Sequence, residues 1–328
     1  MASVNSSKVQ KILVISLSNI GDIILTTPVI SILRERFPKA SLSVLVGPKG
    51  VPLFTNSSTV DEVICFDKHA SWPEMLRLIF QLREKKFNLI VDLRHTAIPF
   101  LLQPNYRTSL FVDRSSTSMR QRHLDRLCLL LEVESCKNHF NFFTDEEKNS
   151  ARSKLNRFSS VPGTNDFVVL APGAGSALKR WTISGFVELT HYFLSSGKRV
   201  VLIGDEHEVD LGKELEEKVS KSVTNLIGLL TLRELAGLIH ESSLVVANDS
   251  AVMHLAHELN RPTVSIFGPT NDKKYWQAAA GRKLVRLNLD CTPCEQAQCR
   301  LPRRLCLDDL PASLVIRACE ELLNHVPH

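Results

Sequence analysis

Short runs of Val, Ile and Leu recur at residues 11–17, 42–46, 63–66 and 89–93, and amphipathic stretches lie between them. Runs this short, continuous rather than alternating, mark strands buried on both faces. Strands separated by helices pair side by side in the same direction, so the sheet is parallel and helices cover it. The pattern restarts at 167–171, 199–204, 244–247 and 262–268, with helical stretches at 182–195, 208–219, 232–241 and 251–259. The earlier helical stretches are 23–37, 74–86, 123–133 and 145–158, and residues 97–123 read as irregular. Ser159-Ser160-Val161-Pro162-Gly163-Thr164-Asn165 is rich in turn formers and reads as a linker. The expected fold class is therefore α/β, with two similar halves, residues 1–160 and 161–328, and a closing helix at 311–323. Ligands of such sheets bind at the carboxyl ends of the strands, and two facing halves would make one cleft.

Lys and Arg total 40 against 35 Asp and Glu, a formal net charge of +5. So small an excess does not mark a nucleic-acid binder; it suits an anionic substrate or a membrane surface. Aromatic residues, at 6%, are too sparse for stacking platforms along a single strand. No apolar run approaches the ~20 residues that span a bilayer. The opening Met1-Ala2-Ser3-Val4-Asn5-Ser6-Ser7 lacks the basic start and apolar core of a signal peptide. These features predict a cytoplasmic protein. Four of the eight cysteines, Cys291, Cys294, Cys299 and Cys306, fall within sixteen residues. In a cytoplasmic chain they offer ligands for structural Zn or Fe, or stand as reduced thiols; the spacing is not that of a zinc finger.

Four strand-to-helix junctions carry chemistry-bearing residues. Ser18-Asn19-Ile20-Gly21-Asp22 leaves the first strand, and Asp22 is either a first-turn carboxylate or a general base. Pro172-Gly173-Ala174-Gly175-Ser176 leads to Lys179 and Arg180, an arrangement that lets backbone N–H groups and cations meet phosphate. It is neither a dinucleotide fingerprint, since Leu178 occupies the third Gly place, nor a P-loop. Asp205-Glu206-His207-Glu208 follows a strand, where acids accept ribose hydroxyls or sit at a helix start. Asn248-Asp249-Ser250-Ala251, with His254 a turn later, opens a helix whose small first-turn residues expose its N-terminus to an anion.

In this order and at these distances the segments resemble glycosyltransferase family 9, the ADP-heptose:lipopolysaccharide heptosyltransferases. Residues 18–26, 172–181, 203–207, 248–256 and Phe267-Gly268-Pro269-Thr270 carry the resemblance, which covers almost the whole chain. It implies the GT-B arrangement of two Rossmann-like domains facing an interdomain cleft, 1–160 for the acceptor and 161–328 for the donor. It implies inverting transfer of a manno-heptose from ADP-heptose to a lipopolysaccharide core acceptor bearing Kdo on lipid A. By the same resemblance Asp22 is the catalytic base and Lys179 the catalytic cation at the donor phosphates. Ala174, Gly175, Ser176, Glu206, Leu230, Asp249, Ser250, Ala251 and His254 line the donor site. The family's hydroxyl pair is Ala174-Gly175 here, and its Thr-Gly pair is Ser250-Ala251. The stretch Arg122-His123-Leu124-Asp125-Arg126 matches the acceptor side. Arg94, Arg120, Arg122 and His123 are the acceptor-binding candidates, with Arg107 and Arg114 nearby. No Asp-x-Asp pair stands where Mg²⁺ would sit, so transfer is expected to need no cofactor beyond the donor. The expected location is the cytoplasm, with peripheral contact at the inner membrane, and for the helix from Trp72 to Lys86 core packing of the apolar face is the expectation. Three alternatives stay open: another nucleotide sugar or acceptor, a nicotinamide-dependent or epimerase chemistry, or a nucleotide-sugar-binding protein without transferase activity.

Overall fold

The computed structural model describes residues 4–109, 118–133, 137–159, 166–219 and 223–324. The chain divides into two compact units, Met1–Phe142 and Phe143–His328.

The first unit begins with strand β1 (Lys11–Ser16), the short helix α1 (Ile20–Ile24) and helix α2 (Thr27–Arg36). There follow β2 (Ser41–Val46), α3 (Val51–Phe54), β3 (Glu62–Cys65), α4 (Trp72–Lys85), β4 (Leu89–Asp92), α5 (Ile98–Leu102), β5 (Tyr106–Arg107) and α6 (Met119–Cys128). The five strands form one parallel sheet in the order β3-β2-β1-β4-β5, with Lys11 opposite Ser41 and Ile12 opposite Leu89. β1 and β2 are buried beyond their first residue, as continuous apolar runs require.

The single helix expected over 23–37 is two helices. Pro28 supplies no backbone N–H, and the Thr26 and Thr27 hydroxyls donate back to the Ile23 and Ile24 carbonyls at 2.6 and 2.7 Å. The chain therefore turns between α1 and α2, which leaves Asp22 in the first turn of α1. Residues 97–109 are more regular than expected, with α5 and β5 inside them. Arg114 lies outside the described residues.

Helix α4 departs from expectation. Leu78, Ile79 and Leu82 are buried, but Trp72, Leu76 and Phe80 are 80%, 54% and 62% exposed. Only part of its wide apolar arc packs on the core; the rest faces out beside the exposed Phe100 and Leu101 of α5.

The second unit opens with α7 (Asp145–Arg157) and β6 (Phe167–Ala171), then α8 (Ile183–Ser195), β7 (Arg199–Leu202), α9 (Val209–Lys218), β8 (Thr224–Asn225) and α10 (Leu232–Glu241). It continues with β9 (Leu244–Asn248), α11 (Ala251–Glu258), β10 (Thr263–Ile266), α12 (Asp272–Tyr275), β11 (Arg282–Val285), α13 (Leu305–Asp308) and α14 (Ala312–Asn324). The parallel sheet runs β11-β10-β9-β6-β7-β8. Counted within the unit this is 3-2-1-4-5-6 read from one edge, the doubly wound order, and the first unit follows it as far as its fifth strand.

Composition put the boundary near residue 160, but α7 packs in the second unit. Arg233 pairs with Glu147 at 2.8 Å, and Glu234 accepts from Lys154 at 2.7 Å and Ser150 at 2.6 Å. These bonds lock α7 to α10, so the division falls at Phe142–Phe143, and residues 160–165 lie outside the described residues.

Candidate functional site

In a doubly wound sheet the chain leaves the two central strands in opposite directions, and the gap at their carboxyl ends is where ligands bind. In the first unit those strands are β1 and β4; in the second they are β6 and β9. Three of the four chemistry-bearing segments sit at these ends, and the segment from Asp205 to Glu208 follows β7.

In the first unit Asp22 is partly exposed, and the Ser18 hydroxyl donates to its Oδ2 at 2.6 Å. The Arg94 guanidinium stands 3.9 Å from the same oxygen. Arg94 is held by Asp92 at the end of β4. Its carboxylate accepts from the backbone N–H of Arg94 at 2.8 Å and of Thr96 at 2.5 Å, which folds the loop back on the strand. His95 takes the left-handed conformation there, with φ 57°. Arg126 of α6 ties the loop down, donating to the Asp92 carbonyl at 2.8 Å and meeting the His95 ring. His123, also on α6, is only 3% exposed. Burial pushes its pKa down to about 4; the charge of Asp22 opposes the shift, and Arg94, Arg126 and His95 add to it. His123 is thus a buried neutral neighbour of Asp22, not an exposed cation. Arg120 and Arg122 lie half-buried in the first turn of α6.

In the second unit the turn after β6 is built around a close approach. A Cβ on Gly173 would lie 1.9 Å from the Glu208 carboxylate, so a larger residue there would have to displace that side chain. Glu208 is half-buried there, and burial pushes its pKa up, with Asp205 adding to the rise. Arg180 grips the Ala174 carbonyl through Nε at 3.1 Å and Nη2 at 3.0 Å. Asn248, at the end of β9, donates to the Pro172 and Gly173 carbonyls at 2.8 and 3.1 Å and accepts from the Trp181 N–H at 3.0 Å. Ala174 is buried, Gly175 is open to solvent, and Ser176 caps the following turn by accepting from the Leu178 N–H at 3.3 Å. The Lys179 ammonium pairs with Asp249 at 2.8 Å and stands 5.8 Å over the Tyr275 ring. Asp249 is 5% exposed and Ser250 precedes the first turn of α11, where Ala251 keeps the helix start uncrowded. His254, one turn on, is buried with its ring 6.0 Å from that of Tyr275.

Glu206 extends into solvent, its side chain 82% exposed, on a short turn that Asp205 caps through the His207 N–H at 2.9 Å. Leu230 is half-buried just before Thr231, which caps α10. Ser18, Asp92, Arg180 and Glu208 are structural partners that the sequence reading did not single out for these roles.

The family model for glycosyltransferase family 9 (heptosyltransferase) matches residues 75–304, most of the chain. The chain belongs to glycosyltransferase family 9. A lipooligosaccharide heptosyltransferase 2 of Campylobacter jejuni is 26% identical over 313 residues, covering 93% of this chain and 96% of that one. A family 9 glycosyltransferase of Veillonella parvula has the same fold, with TM-score 0.80, 20% identity and coverage of 97% and 98% of the two chains. An ADP-heptose lipopolysaccharide heptosyltransferase II of Escherichia coli superposes with TM-score 0.75 at 22% identity, covering 96% and 99%. The GT-B fold class and a glycosyltransferase activity are thereby shown for this family 9 chain.

Within this family 9 chain the cysteine cluster is not gathered into a ligand set. Cys291, Cys294, Cys299 and Cys306 line one small apolar cavity with Leu178, Pro269 and Leu301. Among the described residues no group of three or more His, Cys, Asp or Glu is placed to hold a metal ion. The thiols stand around the cavity wall, Cys291 and Cys299 exposed and Cys306 buried. Burial and the neighbouring Cys291, Cys294 and Cys299 push the Cys306 thiol pKa up. Of the other cysteines, Cys319 is buried, whereas Cys65 and Cys128 are exposed. Among the described residues no helix is long and apolar enough to cross a membrane.

Proposed function

We propose that this glycosyltransferase moves a heptose from ADP-heptose to an anionic lipopolysaccharide core acceptor with inversion at the anomeric carbon. The observation that carries the reading is Asp22. It is a partly exposed carboxylate at the carboxyl ends of the central strands, with Oδ2 engaged by Ser18 and neighboured by Arg94. That leaves Oδ1 to accept the proton of an acceptor hydroxyl. As the proton leaves, the hydroxyl oxygen bonds to the anomeric carbon from the face opposite the diphosphate, and the carbon–diphosphate bond breaks. Inversion follows from this single displacement.

The first unit is assigned to the acceptor and the second to the donor. Lys179, a cation held at Asp249, takes up the charge that develops on the departing ADP, helped by the N-terminus of α11 behind Ser250 and Ala251. Gly175 and Ser176 bring backbone N–H groups to the diphosphate. Glu206 is assigned to the ribose hydroxyls, Leu230 to the adenine face and His254 to the sugar. Ala174-Gly175 carries no hydroxyl, so phosphate recognition at that turn rests on backbone and on Lys179. Arg94, Arg120 and Arg122 would meet acceptor carboxylates and phosphates, with His123 acting as the buried neighbour of Asp22.

The lipid-borne acceptor fits one further surface. Trp72, Leu76, Phe80, Phe100 and Leu101 form an exposed apolar stripe beside Arg77, Arg83 and Arg107, suited to peripheral contact with an anionic leaflet at the cytoplasmic face of the inner membrane. The test is incubation with ADP-heptose and a panel of Kdo-lipid acceptors, read by mass spectrometry. Appearance of the heptosylated product supports the assignment. Transfer only from another nucleotide sugar would move the reading to a different donor within the family.

A further inference from the structure

The second unit holds a cavity at the edge of its sheet opposite the donor turn. Its volume is about 350 Å³, and Phe167 and Arg199, the first residues of β6 and β7, help to line it. The donor turn leaves the other end of β6, five residues on, or roughly 16 Å at the usual rise of a strand. The cavity is therefore separate from the proposed donor site.

Its wall is basic. Lys148 and Arg152 enter from α7 and Arg199 from β7; Glu241, at the end of α10, faces them, and Asp145 pairs with Lys148 at 2.8 Å. Arg152 already engages that carboxylate in a two-pronged pair. Arg199 is 7% exposed, and among the described residues no carboxylate pairs with it. It donates to the Leu155 carbonyl at 2.5 Å and to the Thr224 hydroxyl at 3.4 Å, two of its five N–H groups. Leu155 lies in the last turn of α7, whose negative end carries only about half a charge. That partial charge does not offset the excess. His240 closes one side with its ring 5.1 Å from Phe143, and burial, Arg261 and Lys148 push its pKa down against the charge of Glu241. Asn156 adds a carboxamide, and Leu155 and Phe167 an apolar wall.

We propose that this cavity is a second anion site, which takes a phosphoryl group carried on a small organic molecule. Among the described residues Arg199 is the cation there that no carboxylate pairs with, and its planar guanidinium presents N–H groups suited to phosphoryl oxygens, with the Lys148 ammonium beside it. The volume admits a group of modest size beyond the phosphate. The site does not depend on the proposed transfer reaction.

The test titrates inorganic pyrophosphate calorimetrically into the full chain with ADP present at saturation. The expected result is one further pyrophosphate bound per chain, retained in Lys179→Ala. Its affinity should fall by about tenfold or more in Lys148→Glu and in Arg199→Gln. Should Arg199→Gln fail to fold, Lys148→Glu, on a partly exposed side chain, decides alone. No binding once ADP is present, loss of binding in Lys179→Ala, or equal affinity in Lys148→Glu would each overturn the proposal.

Discussion

Asp22 receives the Ser18 hydroxyl on one oxygen and keeps the other available, which is how a general base is held in one orientation. Asp22→Asn keeps the shape and removes the basicity. Transfer should fall by about 10²–10⁴-fold while ADP affinity stays at the wild-type value; a rate within a few fold of wild type removes Asp22 from that role. Lys179→Ala should weaken ADP binding by about 1.5–3 kcal/mol, the range for hydrogen bonds to charged groups, and an unchanged ADP dissociation constant rejects the phosphate assignment. The buried histidines make a separate prediction about pH. Burial depresses His123 to about 4 and His257 to about 2, both from 6.5. A depressed folded-state pKa means the unfolded chain takes up protons first as pH falls. Stability is thus full above pH 6.5 and is lost below it, with the His123 contribution spent by pH 4 and worth about 3 kcal/mol. Denaturant melts between pH 7.5 and pH 4.5 should show this slope, shallower in His123→Gln; an equal slope in that variant contradicts it. The placing of Asp22, Lys179 and Asp249 after the ends of strands was legible in the sequence, while their proposed roles came from the family resemblance. Glu208 as the group that fills the space at Gly173, and Asp92 as the anchor of Arg94, were not legible, since those contacts depend on the path of the folded loops.

Helices show the same limit at the next scale. Each apolar run predicted as a strand from 11 to 93 and from 167 to 268 is a strand of a parallel sheet, most of them buried and β3 half-buried at the edge. The break between α1 and α2 was less visible, since apolar periodicity continues across it and only Pro28 signals a stop. On α4 periodicity identified the helix but not how much of its apolar arc the core covers. Whether Trp72, Leu76 and Phe80 pack inward depends on how far α5 and the sheet extend, which one helix does not encode. That stripe makes the membrane assignment testable. The full chain should sediment with vesicles containing phosphatidylglycerol and not with pure phosphatidylcholine, and Trp72→Ser combined with Phe80→Ser should lose binding while transfer to a detergent-solubilised acceptor persists. Equal binding by the double variant, or self-association through the stripe in place of vesicle binding, would point to another use of this face.

At the level of the whole molecule, duplicated strand order explains why the candidate residues of each unit fall at equivalent points of its own sheet. β1 and β4 carry Asp22 and Arg94, and β6 and β9 carry Lys179 and Asp249, each set just past the carboxyl ends of central strands. The two-unit plan was legible from the repeat itself, but the position of the boundary was not. The turn-rich stretch near 160 looks like a linker, whereas the ion pairs of Glu147 and Lys154 with α10 assign α7 to the second unit. Family 9 membership and the two sites converge on heptosyl transfer, and one measurement bears on that claim directly. Purified full-length protein is incubated with ADP-heptose and a Kdo-lipid acceptor, and the acceptor is weighed by mass spectrometry. The account predicts an acceptor heavier by one heptose residue, formed by the wild type and not by Asp22→Asn. An acceptor of unchanged mass with the wild-type protein across the Kdo-lipid panel, while ADP-heptose binds, would contradict it.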